Sequence, residues 1–415
     1  MVVSRLQPGQ SDPVSYICSC SAKSQGGGQV LLFYRYFENT PPLPTAHLPV
    51  TNDQAQDLAA WHRSLTTTLS LNGKLRIARE GFNVTVAGTT AAIETFIEQC
   101  TAHWSFAGLD LKSTQQRKAF FKPSPGCACV FAPAPEASVR VCAEITPLGI
   151  TDYAPTDWAV VAELEPAEFH RRCAAGGDGV ELMDLRNHYE SRIGYFVSGA
   201  TGQPAIRPAI RRFSQWPRYV KSHQGRESQQ EKKQVLTYCT GGIRCEKATR
   251  WMAERPDETR EICTLKGGIA AYLDWVDEEI AAGRMRFQDS LFRGKNYVFD
   301  ARGAVGLNAY NADQEEPVSN CHMCGKAEDR LGKCKTAGCH LILVVCEDCE
   351  AKDARCCQSC QQMDGTEIKG RPMCECESAR ESDLWSGGNT GLAIQRRQKA
   401  RTKQSDININ VKIID

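Results

Sequence analysis

No apolar run in this 415-residue chain approaches the ~20 residues of a bilayer-spanning helix, so no membrane segment is expected. Charge of one sign is also missing. Fifty Lys and Arg stand against 49 Asp and Glu, a net charge of +1, so the chain as a whole is no obvious polyanion binder. Met1 to Gly28 has few positive charges, little arginine and no long apolar block. Neither a secretory signal nor an organelle transit peptide is expected, and Gln25 to Gly28 reads as a flexible lead-in. The expected location is cytoplasmic, with a mitochondrial one left open.

Cysteine is not scarce. There are 21, of which 11 fall between Cys321 and Cys376. A secreted disulfide protein is small and cysteine-dense throughout; clustering at one end of a large chain points to metal in a reducing compartment. Cys321-x-x-Cys324 and Cys346-x-x-Cys349 each place two thiolates on one turn, which suits tetrahedral zinc. These four are expected at one site. Cys334, Cys339, Cys357 and Cys360 are expected at a second, with Cys356 or His340 as substitutes. Two structural zinc ions follow, since no His/Glu set with an open position is visible. An iron–sulfur cluster and metal-free thiols are the alternatives.

Charge is unevenly distributed. Gln203 to Arg250 holds eleven Lys and Arg against three Glu, or 11 − 3 = +8. Arg207, Arg211, Arg212, Arg218, Lys221 and Lys247 are therefore candidate phosphate contacts, with a solvated basic face as the plainer alternative. RNA is the expected partner; neither DNA nor a membrane is, and the oligomeric state is left open.

Within this basic stretch lies Val235-Leu236-Thr237-Tyr238-Cys239-Thr240-Gly241-Gly242-Ile243-Arg244-Cys245-Glu246-Lys247-Ala248. It reads as strand, loop, helix. Cys239 stands at the strand tip, Gly241 and Gly242 permit a tight turn, and a helix begins beyond them. Inward-pointing N–H groups, the helix dipole and Arg244 all favour the thiolate, the nucleophilic form of Cys239. Cys245, already in the helix, is expected to be secondary: it either packs beneath the loop or forms a disulfide with Cys239.

The flanking chain alternates. Val30 to Phe37 reads as a strand, Asp53 to Leu65 as a helix, Leu75 to Ala78 and Val84 to Ala87 as strands, Thr90 to Cys100 as a helix, and Leu109 to Lys112 and Val139 to Glu144 as strands. That order is ferredoxin-like, an α+β arrangement. Lys122 to Pro135 reads as a loop. From about Ile150, strands at Gly179–Asp184, Val235–Tyr238 and Ile262–Leu265 alternate with helices. This predicts an α/β unit with a parallel sheet and a site at strand C-termini. His188 reads as a solvated loop histidine, with general base as the sharper alternative.

Cys-x-x-Gly-x-Arg between strand and helix resembles the active-site loop of rhodanese domains. The longer Cys-Thr-Gly-Gly-Ile-Arg-Cys-Glu-Lys-Ala is similar to the rhodanese-domain tRNA uridine hydroxylases and their eukaryotic relatives. Glu80-Gly81-Phe82-Asn83-Val84-Thr85 resembles that family's Glu-Gly-Ile-Asn-Gly-Thr, with Phe82 and Val84 departing from it. Gly194 to Ala200 resembles its Gly-Thr-Phe-x-Gly-Ala, with Tyr195 in place of Thr. Asp184-Leu185-Arg186 resembles the Asp-x-Arg of rhodanese domains, implying that Asp184 and Arg186 orient the active-site side of the sheet. Some family members also end in a cysteine-rich segment.

The resemblance implies oxygen-dependent 5-hydroxylation of the tRNA wobble uridine, with molecular oxygen as co-substrate and Cys239 acting on the uracil ring. A sulfurtransferase carrying a Cys239 persulfide and a non-catalytic zinc scaffold are the other readings. The expected organisation is a tail (1–28), an acylphosphatase- or ferredoxin-like domain (29–149), a rhodanese domain (150–290), a linker (291–318), a cysteine-rich zinc module (319–376) and a disordered basic tail (377–415).

Overall fold

A computed structural model describes residues 27–386 except 40, 132–135, 151–152, 178, 224–233, 308–315, 337–338, 340 and 363–373. The expected N-terminal tail through residue 26, the segment from 387 onward and His340 lie outside the described residues.

The first sheet is built from β1 (Gly28–Tyr36), β2 (Asn72–Ala78), β3 (Gly81–Thr89), β4 (Ser124–Pro125) and β5 (Ser138–Val141), in the order β4-β1-β3-β2-β5. β1 and β2 flank β3 antiparallel, with Leu32 opposite Thr85 and Leu75 opposite Val84; β5 joins β2 parallel. Helices α1 (Asn52–Thr68), α2 (Thr90–Ala102) and α3 (Thr114–Phe121) accompany it. Thr51 starts α1 with a reciprocal capping box to Gln54, and Thr89 caps α2. The core is aromatic: Phe33 meets Phe121 edge-on at 4.8 Å, and Phe82 stacks on Phe106 at 4.9 Å.

The strand expected at Leu109–Lys112 is absent. Asp110 and Lys112 face solvent, only Leu111 is buried, and Ser113 immediately caps α3. The sheet position beside β1 goes to the two-residue β4, inside the stretch expected to be a loop.

A second sheet uses β6 (Ala162–Leu164), β7 (Val180–Asp184), β9 (Gln234–Tyr238) and β10 (Glu261–Leu265), in the order β6-β10-β9-β7, with β6 and β10 parallel. Between β6 and β10 the chain also forms α4 (Pro166–Ala175), β8 (Gly194–Phe196), α5 (Trp216–His223) and α6 (Ile243–Ala253); α7 (Gly268–Ala281) follows.

The expected linker is not structureless. It holds β11 (Phe292–Gly294), antiparallel to β8, and the pair β12 (Asn296–Tyr297) and β13 (Ala304–Val305). The hairpin β14 (Leu331–Lys333) and β15 (Ile342–Val344) comes next, then α8 (Glu347–Ala351), α9 (Gln358–Gln362) and α10 (Glu375–Ser386). α10 lies where the disordered tail was expected to begin. Its Arg380 is buried and donates to the Ala209 carbonyl at 2.6 Å.

By internal contacts the described chain forms two compact units. One joins the segment up to Phe169 with Thr237–Trp275; the other joins His170–Leu236 with the segment from Val276. The Cys239 loop therefore shares a unit with the first sheet. Among the described residues no helix is long and apolar enough to cross a membrane.

Candidate active site and metal centre

Cys239 follows the last residue of β9 and is fully buried. The loop turns back on it, so the Gly242 N–H donates to its Sγ at 3.2 Å. Gly242 makes that turn with a φ of +100°, and an added Cβ would lie 2.5 Å from the Tyr34 hydroxyl. A second glycine pair braces the loop. Ile269 N–H donates to the Cys239 carbonyl at 2.9 Å and Ala270 N–H to that of Thr240 at 3.1 Å. A Cβ on Gly268 would sit 2.5 Å from the Cys239 carbonyl oxygen, so only glycine permits this approach.

Burial pushes the Cys239 thiol up. A hydrogen bond from the Cys245 thiol, the Arg244 charge and the Cys245 and Arg244 N–H groups outweigh it and bring the thiol down to about 5. Cys245 moves the other way: burial, its hydrogen bond to Cys239 and the Cys239 charge raise it well above the ordinary thiol range. The geometry thus separates a thiolate from its thiol donor, and the disulfide alternative for Cys245 is not adopted. Arg244 is held by a 2.9 Å bond to Thr240 Oγ1.

β1 lines this loop. Leu32, Tyr34 and Tyr36 alternate onto one face. An added Cβ at Gly241 would meet Leu32 at 3.1 Å, Tyr34 donates to Glu246 at 3.1 Å and Tyr36 donates to the Ile243 carbonyl at 3.4 Å. Glu246 also accepts from Asn39 at 3.1 Å and Arg250 at 2.6 Å. Burial, then the nearby Glu163, lift its carboxyl to about 8.

Lys122 escaped the sequence reading. It ends α3 in the left-handed region, φ 46° and ψ 60°, unusual for a side chain of its size. Its Nζ lies 5.4 Å from the Tyr34 ring centroid and donates to the Phe120 carbonyl at 3.2 Å. Burial lowers its amine to about 8, against the upward pull of Glu246, Asp274 and Cys239. The available signal was Val30–Phe37, apolar on both faces and so packed on both.

The sequence-derived basic set divides. Lys247 is buried between Glu144 at 2.6 Å and Glu80 at 2.8 Å, so it is not a phosphate contact. Glu80 in turn accepts from Ile145 N–H at 2.7 Å, and Asn83 donates to the Ile145 carbonyl at 3.2 Å; the Glu-Gly-Phe-Asn turn anchors backbone. Arg207 is also withdrawn from solvent: it stacks on Tyr195 at 4.0 Å and donates to the Ser191 carbonyl at 3.2 Å. Arg211 is half-buried and pairs with Glu377 at 3.1 Å. Arg212, Arg218 and Lys221 are exposed.

Asp184 and Arg186 pair at 2.7 Å with both side chains fully buried, and Arg186 also donates to the Gly194 carbonyl at 2.6 Å. His188 is buried rather than solvated, and burial followed by the charges of Arg192, Arg380 and Arg211 keeps it neutral.

The cysteine array gathers as pattern and chemistry demand. Cys321, Cys324, Cys346 and Cys349 converge with all four sulfurs within 4.8 Å of one another. A second set comprises Cys334, Cys339, Cys356 and Cys360. Cys356 thus stands in this set where Cys357 was expected, and Cys357 falls in a further set with Cys356, Cys360 and Cys374. A tetrahedron of thiolates around zinc has edges of about 3.8 Å. Cys324–Cys346 at 3.8 Å and Cys339–Cys356 at 3.7 Å fit that size.

Residues 28–124 match the family described as a UPF0176 acylphosphatase-like domain, and residues 293–361 match the one described as rhodanase C-terminal. A tRNA uridine(34) hydroxylase of Bacillus cytotoxicus is 30% identical over 329 residues, covering 79% of this chain and 86% of that protein. The chain belongs to the tRNA uridine(34) hydroxylase family. A Bacillus cereus hydroxylase of the same name is 30% identical over 330 residues, 79% of this chain and 87% of that protein. Rhodanese-like domain-containing protein 6 of Arabidopsis thaliana is 29% identical over 342 residues, 80% of this chain and 52% of that longer protein. The Cys239–Cys245 loop, whose thiolate geometry is described above, lies outside both matched segments. The acylphosphatase-like segment supplies Leu32, Tyr34, Tyr36 and Lys122 around it.

Proposed function

We propose that this protein hydroxylates the wobble uridine of tRNA at C5, with molecular oxygen as co-substrate, and acts in the cytoplasm. The buried Cys239, poised as a thiolate by Gly242 N–H, Cys245 and Arg244, carries the proposal. Its thiolate adds to C6 of the uracil ring and leaves electron density at C5; one oxygen atom of O2 goes to C5 and the other leaves as water, a step that consumes two electrons from a thiol reductant, and loss of the C5 proton then expels Cys239. Lys122 borders the thiolate, where a cation stabilises the enolate oxygen that addition creates. The second sheet is read as a rhodanese-type parallel sheet, in which Asp184 and Arg186 fix the chain at the end of β7.

Arg212, Arg218 and Lys221 are proposed to meet tRNA phosphates, with the target base unstacked. The cysteine sets hold structural zinc. Each offers a closed thiolate shell, so the metal contributes folding energy and no open position for substrate.

The loop that cradles Cys239 would hold a persulfide equally well, which makes sulfurtransfer the second reading. Incubating the purified protein with unmodified tRNA under air and under anaerobic conditions separates them. Oxygen-dependent 5-hydroxyuridine supports the proposal; no hydroxylation together with rapid thiosulfate turnover supports the alternative.

A further inference from the structure

Two candidate metal sets share side chains. Cys334, Cys339, Cys356 and Cys360 form one, and Cys356, Cys357, Cys360 and Cys374 form another; in each, all sulfurs lie within 4.8 Å of one another. All six residues are buried. We infer that they form a single binuclear zinc cluster in which Cys356 and Cys360 bridge two ions, Cys334 and Cys339 complete one tetrahedron, and Cys357 and Cys374 complete the other. This rests on the reading of the metal as zinc.

Sulfur spacing carries the inference. Cys356 Sγ lies 3.7 Å from Cys339, 3.7 Å from Cys357 and 3.6 Å from Cys374, near the edge length of a zinc–thiolate tetrahedron. Its distance to Cys360 Sγ is shorter, 3.3 Å. Two tetrahedra that share an edge contract that edge, because the two cations repel and the bridging anions are drawn between them. Cys356–Cys360 is the edge the two sets share.

Charge favours the same arrangement. Six thiolates around one divalent ion would leave four uncompensated negative charges in a buried place, so some sulfurs would have to stay protonated. A second zinc lets all six thiols release their protons and leaves a net charge of −2, the same as one zinc with four thiolates. Arg355 lies alongside, donating to Thr336 Oγ1 at 3.1 Å and to the Cys360 carbonyl at 3.4 Å.

Cys374 is held in place independently of any metal. Glu375 N–H donates to Ser359 Oγ at 3.2 Å, and the Cys376 thiol donates to the Cys356 carbonyl at 2.9 Å. The start of α10 is thereby fastened to the turn that presents Cys356, Cys357 and Cys360.

Native mass spectrometry and elemental analysis of the full-length protein, with zinc-edge X-ray absorption, test the inference. Wild type should hold three zinc ions per chain and show a zinc–zinc scattering vector. Cys374→Ser and Cys357→Ser should each lose one ion and that vector, and keep the zinc of the Cys321 set. Two zinc ions in wild type, or three without a zinc–zinc vector, overturn the binuclear cluster while leaving zinc as the metal. Iron in place of zinc overturns the zinc reading itself. The wild-type count is decisive even where a variant fails to fold.

Discussion

Lys247 Nζ lies 2.6 Å from Glu144 Oε2, with both side chains buried. This contact ties the first turns of α6, just beyond the reactive loop, to the chain that follows β5. A lysine that looks like a phosphate contact in the sequence is a structural tie. Removing one member of a buried pair leaves the other charge stranded and costs about 3–5 kcal/mol. Lys247→Met should therefore lower the denaturation midpoint markedly, measured by circular dichroism against urea. Unchanged stability with weakened tRNA binding would return Lys247 to the phosphate-contacting set.

The ionisation of Cys239 gives a pH prediction. Its folded value, about 5, lies below the ordinary thiol value, so the thiolate persists through neutral pH and is lost as pH falls through about 5. The matching stabilisation is fully present above the unfolded thiol range and disappears as pH falls through the folded value. The ultraviolet thiolate absorbance of wild type minus Cys239→Ser should titrate near 5. Cys245→Ala should move that midpoint upward, because it removes the donor. A wild-type midpoint near 8 to 9, the range of an ordinary thiol, would remove the basis for a resting thiolate.

Lys122 yields a second titration. Its amine falls to about 8, so the cation beside Tyr34 is lost as pH rises through that value. Lys122→Met should reduce tRNA hydroxylation by roughly 100- to 1,000-fold, the range for a charge-stabilising group. It should also raise the Cys239 midpoint, whereas Lys122→Arg should restore the midpoint in part. A Lys122→Met enzyme with full kcat and an unmoved midpoint contradicts this role.

Arg212, Arg218 and Lys221 remain candidates for RNA. Charge reversal at all three should weaken tRNA binding and flatten its salt dependence, since each lost phosphate contact releases fewer counterions. Filter binding across a salt series reads both effects. The Cys239 midpoint should stay where it is.

The reactive loop was legible because its signals are local: a short apolar strand, two glycines and a helix start lie within fourteen consecutive residues. The five-strand, two-helix reading of the first domain erred at Leu109–Lys112, where a single buried leucine could not support a strand. The fates of Lys247 and Arg207 were hidden. The carboxylates that hold Lys247 lie 167 and 103 residues away in sequence, and the aromatic partner of Arg207 is Tyr195, on the separate strand β8. Ligand spacing singled out the Cys321 set. It could not choose between the neighbours Cys356 and Cys357, because backbone direction, not spacing, decides which thiol turns toward Cys334. Lys122 left no local trace: its importance comes from the packing of β1 against the Cys239 loop.

The most direct test of the account is nucleoside mass spectrometry of tRNA from cells lacking this protein, complemented with wild type, Cys239→Ser or Cys245→Ser. The account predicts that 5-hydroxyuridine at the wobble position disappears in the deletion. Wild type should restore it, Cys245→Ser should restore a measurable part, and Cys239→Ser none. Wild-type levels of the modification with Cys239→Ser, or in the deletion itself, would contradict it.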